Sequence, residues 1–283
     1  VSLRRRAVLA SATARLQAAG VASPTTDAEV LLAHVVGIPR GRLVLLDEVG
    51  ERELEAYDAL LTRRAAREPL QHLTGEAAFR HVLLAVGPGV FVPRPETELL
   101  AGWAIDEARE VAGRAPVVVD LCTGSGAIAA AVADEVPGAD VHAAELDPGA
   151  IAWAERNLAG TGVELVHGDL ATAFEELVGR VDVVVCNPPY IPLEAWESVA
   201  AEARDHDPHL ALFSGDDGLD AIRVLERRAA VLLRPGGVLG FEHADVQGTS
   251  APGVLSATGR WSEVRDHLDL AGRARFTTGR LAR

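Results

Sequence analysis

The chain has 283 residues, 48% hydrophobic and 24% charged, with no apolar run near the ~20 residues that cross a bilayer, which excludes an integral membrane protein and leaves a globular one. Its formal charge of −14 is uneven: residues 1–85 carry 11 Arg against 10 acids, and 86–283 carry 16 Arg against 31. So acidic a surface repels phosphate backbones and disfavours nucleic acid as a direct partner, while two cysteines, Cys122 and Cys186, make no disulfide framework and suit a reducing cytoplasm.

Residues 1–75 read as an all-helical domain. The Arg-rich, acid-poor start resembles a targeting peptide in composition, but it also reads as a first helix with Leu3, Ala7, Ala10, Ala14 and Leu16 near one face, stopped at Gly20. The helical reading is favoured because the helices that follow need a packing partner. "SPTTDAEVLLAHVVG" opens with capping residues and runs apolar to Gly37, and another amphipathic run covers Glu51 to about Arg67, before Pro69. Residues 76–92 read as a hairpin or connector with Gly87-Pro88-Gly89 as its turn.

From residue 93 to 283 helices and strands alternate. A helix over about 97–111 precedes strand 117–122, helix 127–135, strand 140–145, helix 148–158 and strand 164–168. A short helix near 174–178, strand 182–186, helix 219–233 ending at "RPGG", strand 238–243 and two closing strands complete it. This spacing predicts a mostly parallel sheet covered on both faces, an α/β fold.

The loop Asp120-Leu-Cys-Thr-Gly-Ser-Gly126 joins the first strand to the next helix, where glycines permit a sharp turn and close approach of a ligand. Glu145 ends the next strand, where an acid can bind ribose hydroxyls, and Asp169 follows the third. The loop lacks both the three-glycine dinucleotide spacing and the Gly-Lys of a phosphate loop, so an adenosine ligand without pyrophosphate fits better. S-adenosylmethionine is such a ligand.

One strand beyond, "DVVVCNPPYI" breaks from a buried β-branched run into Asn187-Pro-Pro-Tyr190. Two prolines stiffen the loop and push Asn187 to an extended conformation. An amide or aryl amine is a poor nucleophile because its lone pair is delocalised. The Asn187 side-chain oxygen and the Pro188 carbonyl can each accept one N–H, aiming the lone pair at a methyl donor, with Tyr190 packed on the flat group. Taken alone, the tetrapeptide is a stiff turn; the neighbouring nucleotide site gives it a chemical role.

Here the sequence resembles the HemK/PrmC family, the peptide chain release factor glutamine methyltransferases. The matching pieces are "EPLQHLTGEAAF" (68–79), "FVPRPETELL" (91–100), "DLCTGSGAIA" (120–129), "CNPPYI" (186–191), "GDDGLDAIRVL" (215–225), "RPGGVLGFEH" (234–243) and "DLAGRARF" (269–276). The resemblance implies a class I S-adenosylmethionine-dependent methyltransferase fold, Rossmann-like, with a small N-terminal helical domain that docks substrate. It implies methylation of the side-chain amide nitrogen, N(5), of the glutamine in the Gly-Gly-Gln motif of bacterial class 1 release factors. It further implies that Cys122, Thr123, Gly124, Ser125, Gly126, Glu145, Asp169, Leu170 and Asn187 hold the cofactor, with S-adenosylhomocysteine as product and no metal. Phe91 and "PRPETE" (93–98) would lie over the methyl-donor end, and Asn187, Pro188, Pro189 and Tyr190 would frame the glutamine. Three positions depart from the family pattern: Cys122 where Gly is usual, Glu145 where Asp is frequent, and Asp207-Pro208 where Glu-Pro is common.

Two rivals remain at this stage. Asn-Pro-Pro-Tyr is shared with methyltransferases that act on the exocyclic amino group of adenine in DNA or RNA, and a non-catalytic adaptor could keep the fold and only bind release factor. "DHDPH" (205–209) matches no strong zinc spacing and reads as a polar loop, and "RRR" (4–6) as a solvated helix end.

Overall fold

The computed structural model describes residues 2–282. Contacts gather the chain into two compact units, Val1–Glu76 with Ala200–His206, and Ala77–Val199 with Asp207–Arg283.

In the first unit, α1 (Arg5–Ala18), α2 (Pro24–Val36), α3 (Glu51–Ala65) and α4 (Leu70–Thr74) supply an apolar core that includes Leu16, Leu31, Leu32, Tyr57 and Leu61. Pro24 sits in the first turn of α2, and left-handed Gly37 ends it at φ 72°. The face expected for the first helix holds only at Leu16. Ala7, Ala10 and Ala14 are exposed, and the buried stripe is Val8, Ala12 and Leu16, which puts two larger side chains rather than a row of alanines into the core. Nor is this region wholly helical: β1 (Leu3–Arg4) pairs antiparallel with β2 (Glu48–Val49), which takes Leu3 out of the helix. The unit also contains α8 (Ala201–His206), whose Glu202 accepts hydrogen bonds from Arg64 at 3.1 Å and from Arg67 at 2.6 Å.

The second unit starts with the hairpin of β3 (Glu76–Phe79) and β4 (Val82–Ala85). Its turn is Arg80-His81, not the expected Gly87-Pro88-Gly89. Arg80 takes φ 50° while its guanidinium is held by Glu135 at 2.5 and 2.9 Å, side-chain bonds that support a backbone conformation glycine would adopt freely. The glycines lie after the hairpin, where the Trp153 indole donates to Pro88 O at 3.3 Å.

Short apolar runs, buried on both faces in β5 and β8, then build a seven-stranded sheet from β5 (Val117–Leu121), β6 (Asp140–Glu145), β7 (Glu164–His167), β8 (Val181–Cys186), β9 (Leu233–Glu242), β10 (Trp261–Leu268) and β11 (Ala274–Leu281). Its order is β10-β11-β9-β8-β5-β6-β7; β5 to β9 run parallel, and β11 and β10 close one edge antiparallel. On one face Val118, Val183 and Val185 pack with α5 (Thr97–Arg109), α6 (Ala127–Glu135) and α7 (Pro148–Leu158). On the other, Val119, Leu121, Val184 and Phe241 pack with α10 (Asp220–Leu232) and α11 (Ser250–Ser256). This is the class I methyltransferase fold. β5 has neighbours on both sides whose chains leave in opposite directions, and a crevice at such a point lies beyond the carboxyl ends of the strands. One boundary differs from expectation: "RPGG" is not a loop before β9 but part of its irregular start, between the pairs Val181–Leu233 and Val183–Val238.

Candidate active site

Cys122 leaves β5 at φ 61°, and Thr123 N donates to Ala144 O at 2.9 Å, so the loop turns toward the end of β6. Gly126 caps α6 at φ 85°, where a Cβ would also press within 3.0 Å of Leu158. Beneath the loop lies buried Asp120. Its Oδ2 accepts from Thr123 Oγ1 at 2.5 Å and from Ala129 N at 3.2 Å. Burial pushes its carboxyl up to about 7, against the pull of those two donors and with a further push from Glu145.

Glu145 ends β6 with its carboxylate turned back onto backbone. Oε2 accepts from Gly124 N at 2.7 Å, and Oε1 from Leu146 N at 2.9 Å and Asp147 N at 2.8 Å. Burial raises its pKa, an effect that these three N–H groups oppose. A carboxylate has about four lone-pair directions, so roughly one is left for a ligand. Asp169 turns the chain after β7, accepting from Ala171 N at 2.8 Å.

At the end of β8, Asn187 Nδ2 donates to Thr97 Oγ1 at 3.3 Å, Thr97 Oγ1 donates to Glu242 Oε2 at 2.6 Å, and the Tyr190 hydroxyl donates to Glu242 Oε1 at 2.9 Å. The loop beyond is pinned: Ile191 N donates to Leu212 O at 2.8 Å and Ser214 N returns to Ile191 O at 2.9 Å, where α9 (His209–Leu212) ends. Gln247 Nε2 holds Tyr190 O at 3.0 Å, and Gly218, at φ 74°, admits that carbonyl where a Cβ would stand 2.2 Å from it.

These pieces surround a cleft partly open to solvent, about 950 Å³ of space when that open part is counted. Of the residues expected from the sequence, Phe91, Cys122, Thr123, Gly124, Ser125, Glu145, Asp169, Leu170, Asn187 and Pro189 line it together, with Pro93 and Thr97 of "PRPETE". Gly126, Pro188 and Tyr190 are not in its wall: Gly126 starts the supporting helix, Pro188 is buried, and the Tyr190 hydroxyl faces Glu242. Sequence reasoning assigned no role to Asp120, Glu242 or Gln247, and treated Thr97 only as part of "PRPETE". Polar residues inside otherwise apolar strands, as in "VVVDL" and "LGFEH", were the available signal. Asp205 and Asp207 of "DHDPH" pair with Arg204 and Arg94 respectively, and the His209 ring packs tilted against Trp196, 46° between planes.

The wall fits a nucleoside better than a phosphate group. It combines apolar Phe91, Ile128 and Leu170 with the acid Glu145, and a Cβ added at Gly124 would meet nothing within 4 Å, so the loop backbone borders open space. Cys122 and Cys186 are free thiols; burial, then contact with Cys122, pushes the Cys186 thiol well up.

The chain is similar to known methyltransferases. The PrmC N-terminal domain family matches residues 7–75, and the methyltransferase small domain family matches 104–206. The chain is 57% identical over 277 residues to the release factor glutamine methyltransferase of Streptomyces coelicolor, covering 98% of each chain. It is 44% identical over 261 residues to the 4-amino-L-phenylalanine/4-methylamino-L-phenylalanine methyltransferase of Streptomyces pristinaespiralis, covering 90% of this chain and 88% of that one. Among solved structures, its fold is similar to that of the T. thermophilus 16S rRNA N2 G1207 methyltransferase in complex with AdoMet and guanosine, with a TM-score of 0.52 and 21% identity, over 74% of this chain and 50% of that one.

Proposed function

The chain belongs to the family of release factor glutamine methyltransferases, and on that premise we propose that it transfers a methyl group to the side-chain N(5) of the glutamine in the Gly-Gly-Gln motif of bacterial class 1 release factors, in the cytoplasm. The observation that carries the reading is the orientation of Asn187. With Nδ2 given to Thr97, its Oδ1 is free to accept a hydrogen bond. Asn187 Oδ1 and Pro188 O would take the two amide hydrogens of the glutamine, holding the nitrogen with its lone pair out of the amide plane's hydrogen bonds. When bound, S-adenosylmethionine supplies the electrophilic methyl on sulfur, and S-adenosylhomocysteine is left. Cys122 to Gly126, Glu145, Asp169, Leu170 and Phe91 would hold it.

No strong base is required at the nitrogen, because its protons become acidic as the fourth bond forms; two fixed acceptor dipoles support that charge. Pro189 lines the cavity and Tyr190 closes the frame from below. Residues 1–75 would dock the release factor, since Asn187 and Pro188 read only an amide and selectivity must come from elsewhere. The relative that carries a 4-amino-L-phenylalanine name supports one second reading, an aryl-amine substrate with the same paired hydrogens.

Incubation of the full chain with S-adenosylmethionine and, in separate reactions, intact release factor, 4-aminophenylalanine and an adenine-containing oligonucleotide tests the proposal. A 14-dalton gain on the Gly-Gly-Gln peptide alone is expected, ~14 being the mass of one added CH₂. Methylation of the small amine or the oligonucleotide instead would overturn it.

A further inference from the structure

We propose that Thr97 and Glu242 are positioning residues that decide which end of the Asn187 amide meets the substrate. The inference rests on the amide-methylation reading above and concerns the groups that hold the Nδ2 end of Asn187: Thr97, which also lines the cavity, and Glu242 behind it.

An asparagine side chain is nearly symmetric in shape, and rotating it by half a turn replaces an acceptor with a donor at almost no steric cost. Here a half-turn would be fatal to binding. A substrate –NH₂ held against an Asn –NH₂ sets donor against donor, and the second acceptor at Pro188 could not hold the nitrogen alone. Something must fix the polarity.

Thr97 and Glu242 are buried, at 4% and 1% exposure. An ionised carboxylate only accepts, so both groups facing Glu242 must donate to it: Tyr190 to Oε1 at 2.9 Å and Thr97 to Oε2 at 2.6 Å. Thr97 has a single hydroxyl proton. Once that proton lies on Glu242, Thr97 Oγ1 can do nothing toward Asn187 except accept, at 3.3 Å from Nδ2. The carboxylate thus sets the hydroxyl, and the hydroxyl sets the amide. Oδ1 is left pointing away from Thr97. When ionised, Glu242 is the member of this relay with no proton to give, and it dictates the order of donors.

The charged and titratable groups acting on Glu242 are Tyr190, Arg275 and Glu96. Burial raises its pKa, the bonds from Thr97 and Tyr190 and the Arg275 charge pull it back, and Glu96 pushes it up again. Protonation at Oε2 would let Glu242 donate to Thr97, free the hydroxyl proton for Asn187 Oδ1, and turn the amide round.

Single-turnover methyl transfer to intact release factor tests this with three variants of the full chain. Thr97→Val keeps the shape and removes the relay, so the transfer rate should fall by about 10- to 100-fold while the S-adenosylmethionine dissociation constant, read by calorimetry, moves less than about threefold. Thr97→Ser should recover most of the rate. Glu242→Gln loosens the relay without breaking it: the Tyr190 hydroxyl can accept from the new –NH₂ as well as donate to the new oxygen, so the glutamine can face Thr97 with either end, and the rate should fall by less than in Thr97→Val.

Thermal melting verifies that each variant is folded. Near wild-type turnover in Thr97→Val, or a Thr97→Ser variant no faster than Thr97→Val, would overturn the proposal. If the wild-type chain methylated 4-aminophenylalanine and not release factor, the amide reading would fail, while the same ranking of variants on that amine would still sustain the polarity relay.

Discussion

Glu145 Oε2 accepts a 2.7 Å hydrogen bond from the Gly124 backbone N–H, so the acid that ends β6 is tied to the glycine loop that ends β5. One carboxylate therefore shapes the loop and faces the cavity. Glu145→Ala would leave the N–H groups of Gly124, Leu146 and Asp147 without their partner as well as removing a ligand acceptor. A hydrogen bond to a charged group contributes about 1.5–3 kcal/mol, so S-adenosylmethionine should bind about 10- to 100-fold more weakly, read by calorimetric titration. An unchanged dissociation constant would remove Glu145 from the site.

Asn187→Ala separates chemistry from binding. It deletes one of two acceptors for the substrate amide while the loop stays pinned by the Ile191–Leu212 and Ser214–Ile191 hydrogen bonds. Turnover should drop about 100-fold or more with cofactor affinity largely kept. Stopped-time assays showing near wild-type turnover would refute positioning by Asn187.

How much of this was legible beforehand depended on whether a signal was local. The alternation of β5, β6 and β8, the glycine loop and the proline-stiffened Asn187 all announce themselves within a few residues, because each follows from a backbone constraint. The Arg80 turn did not. It depends on Glu135, 55 residues away, holding a guanidinium so that a non-glycine residue can sit at positive φ. Glu242 was hidden for a related reason: its partners Thr97 and Tyr190 lie 145 and 52 residues distant, and only the sheet order brings β9 beside β8. The pairing of β1 with β2 was missed because two-residue strands carry no periodicity.

Cys122 sits in the left-handed region at φ 61° without being glycine. That conformation costs an L-residue about 1–2 kcal/mol, whereas glycine gives up about 0.5–1 kcal/mol through the freedom of its unfolded chain. Cys122→Gly should accordingly be neutral or stabilising by up to about 1 kcal/mol, and Cys122→Val, branched at Cβ, clearly destabilising. Urea denaturation of the two variants checks the order; valine at parity with glycine would show that the loop relaxes freely.

Asp120 gives the pH dependence. Its carboxyl is pushed up to about 7 by burial, so the folded chain holds a proton that the unfolded chain releases near the ordinary Asp range. This stabilising contribution is full below about pH 4 and is lost as pH rises toward about 7, beyond which it is flat. Asp120→Asn carries no proton to lose. Its stability relative to wild type should therefore improve between pH 4.5 and 8, values chosen as roughly bracketing that window. A difference independent of pH, measured by denaturant unfolding, would mean that Asp120 stays ionised throughout.

The last expectation concerns the N-terminal helices. The proposed chemistry reads an amide group, and amides abound in any proteome, so a docking surface must choose the release factor. Removing residues 1–76 tests that role, but it also removes Arg64 and Arg67, whose guanidinium groups both bind Glu202. Burial works against ionisation of that carboxylate, and those arginines outweigh it, lowering its pKa to about 2. Left alone it would be a charge without its partners, and misfolding of 200–206 could imitate a loss of docking. A fragment spanning 77–283 that also carries Glu202→Gln avoids this. It should melt cooperatively and bind S-adenosylmethionine within about threefold of the full chain, an allowance of under 1 kcal/mol. Methyl transfer to intact release factor should nevertheless fall steeply through kcat/KM, while transfer to a short Gly-Gly-Gln peptide at high concentration should change little, because a short peptide offers no remote surface to lose. Equal losses on both substrates would place the defect in the active site, and equal retention would deny the helices any part in substrate choice.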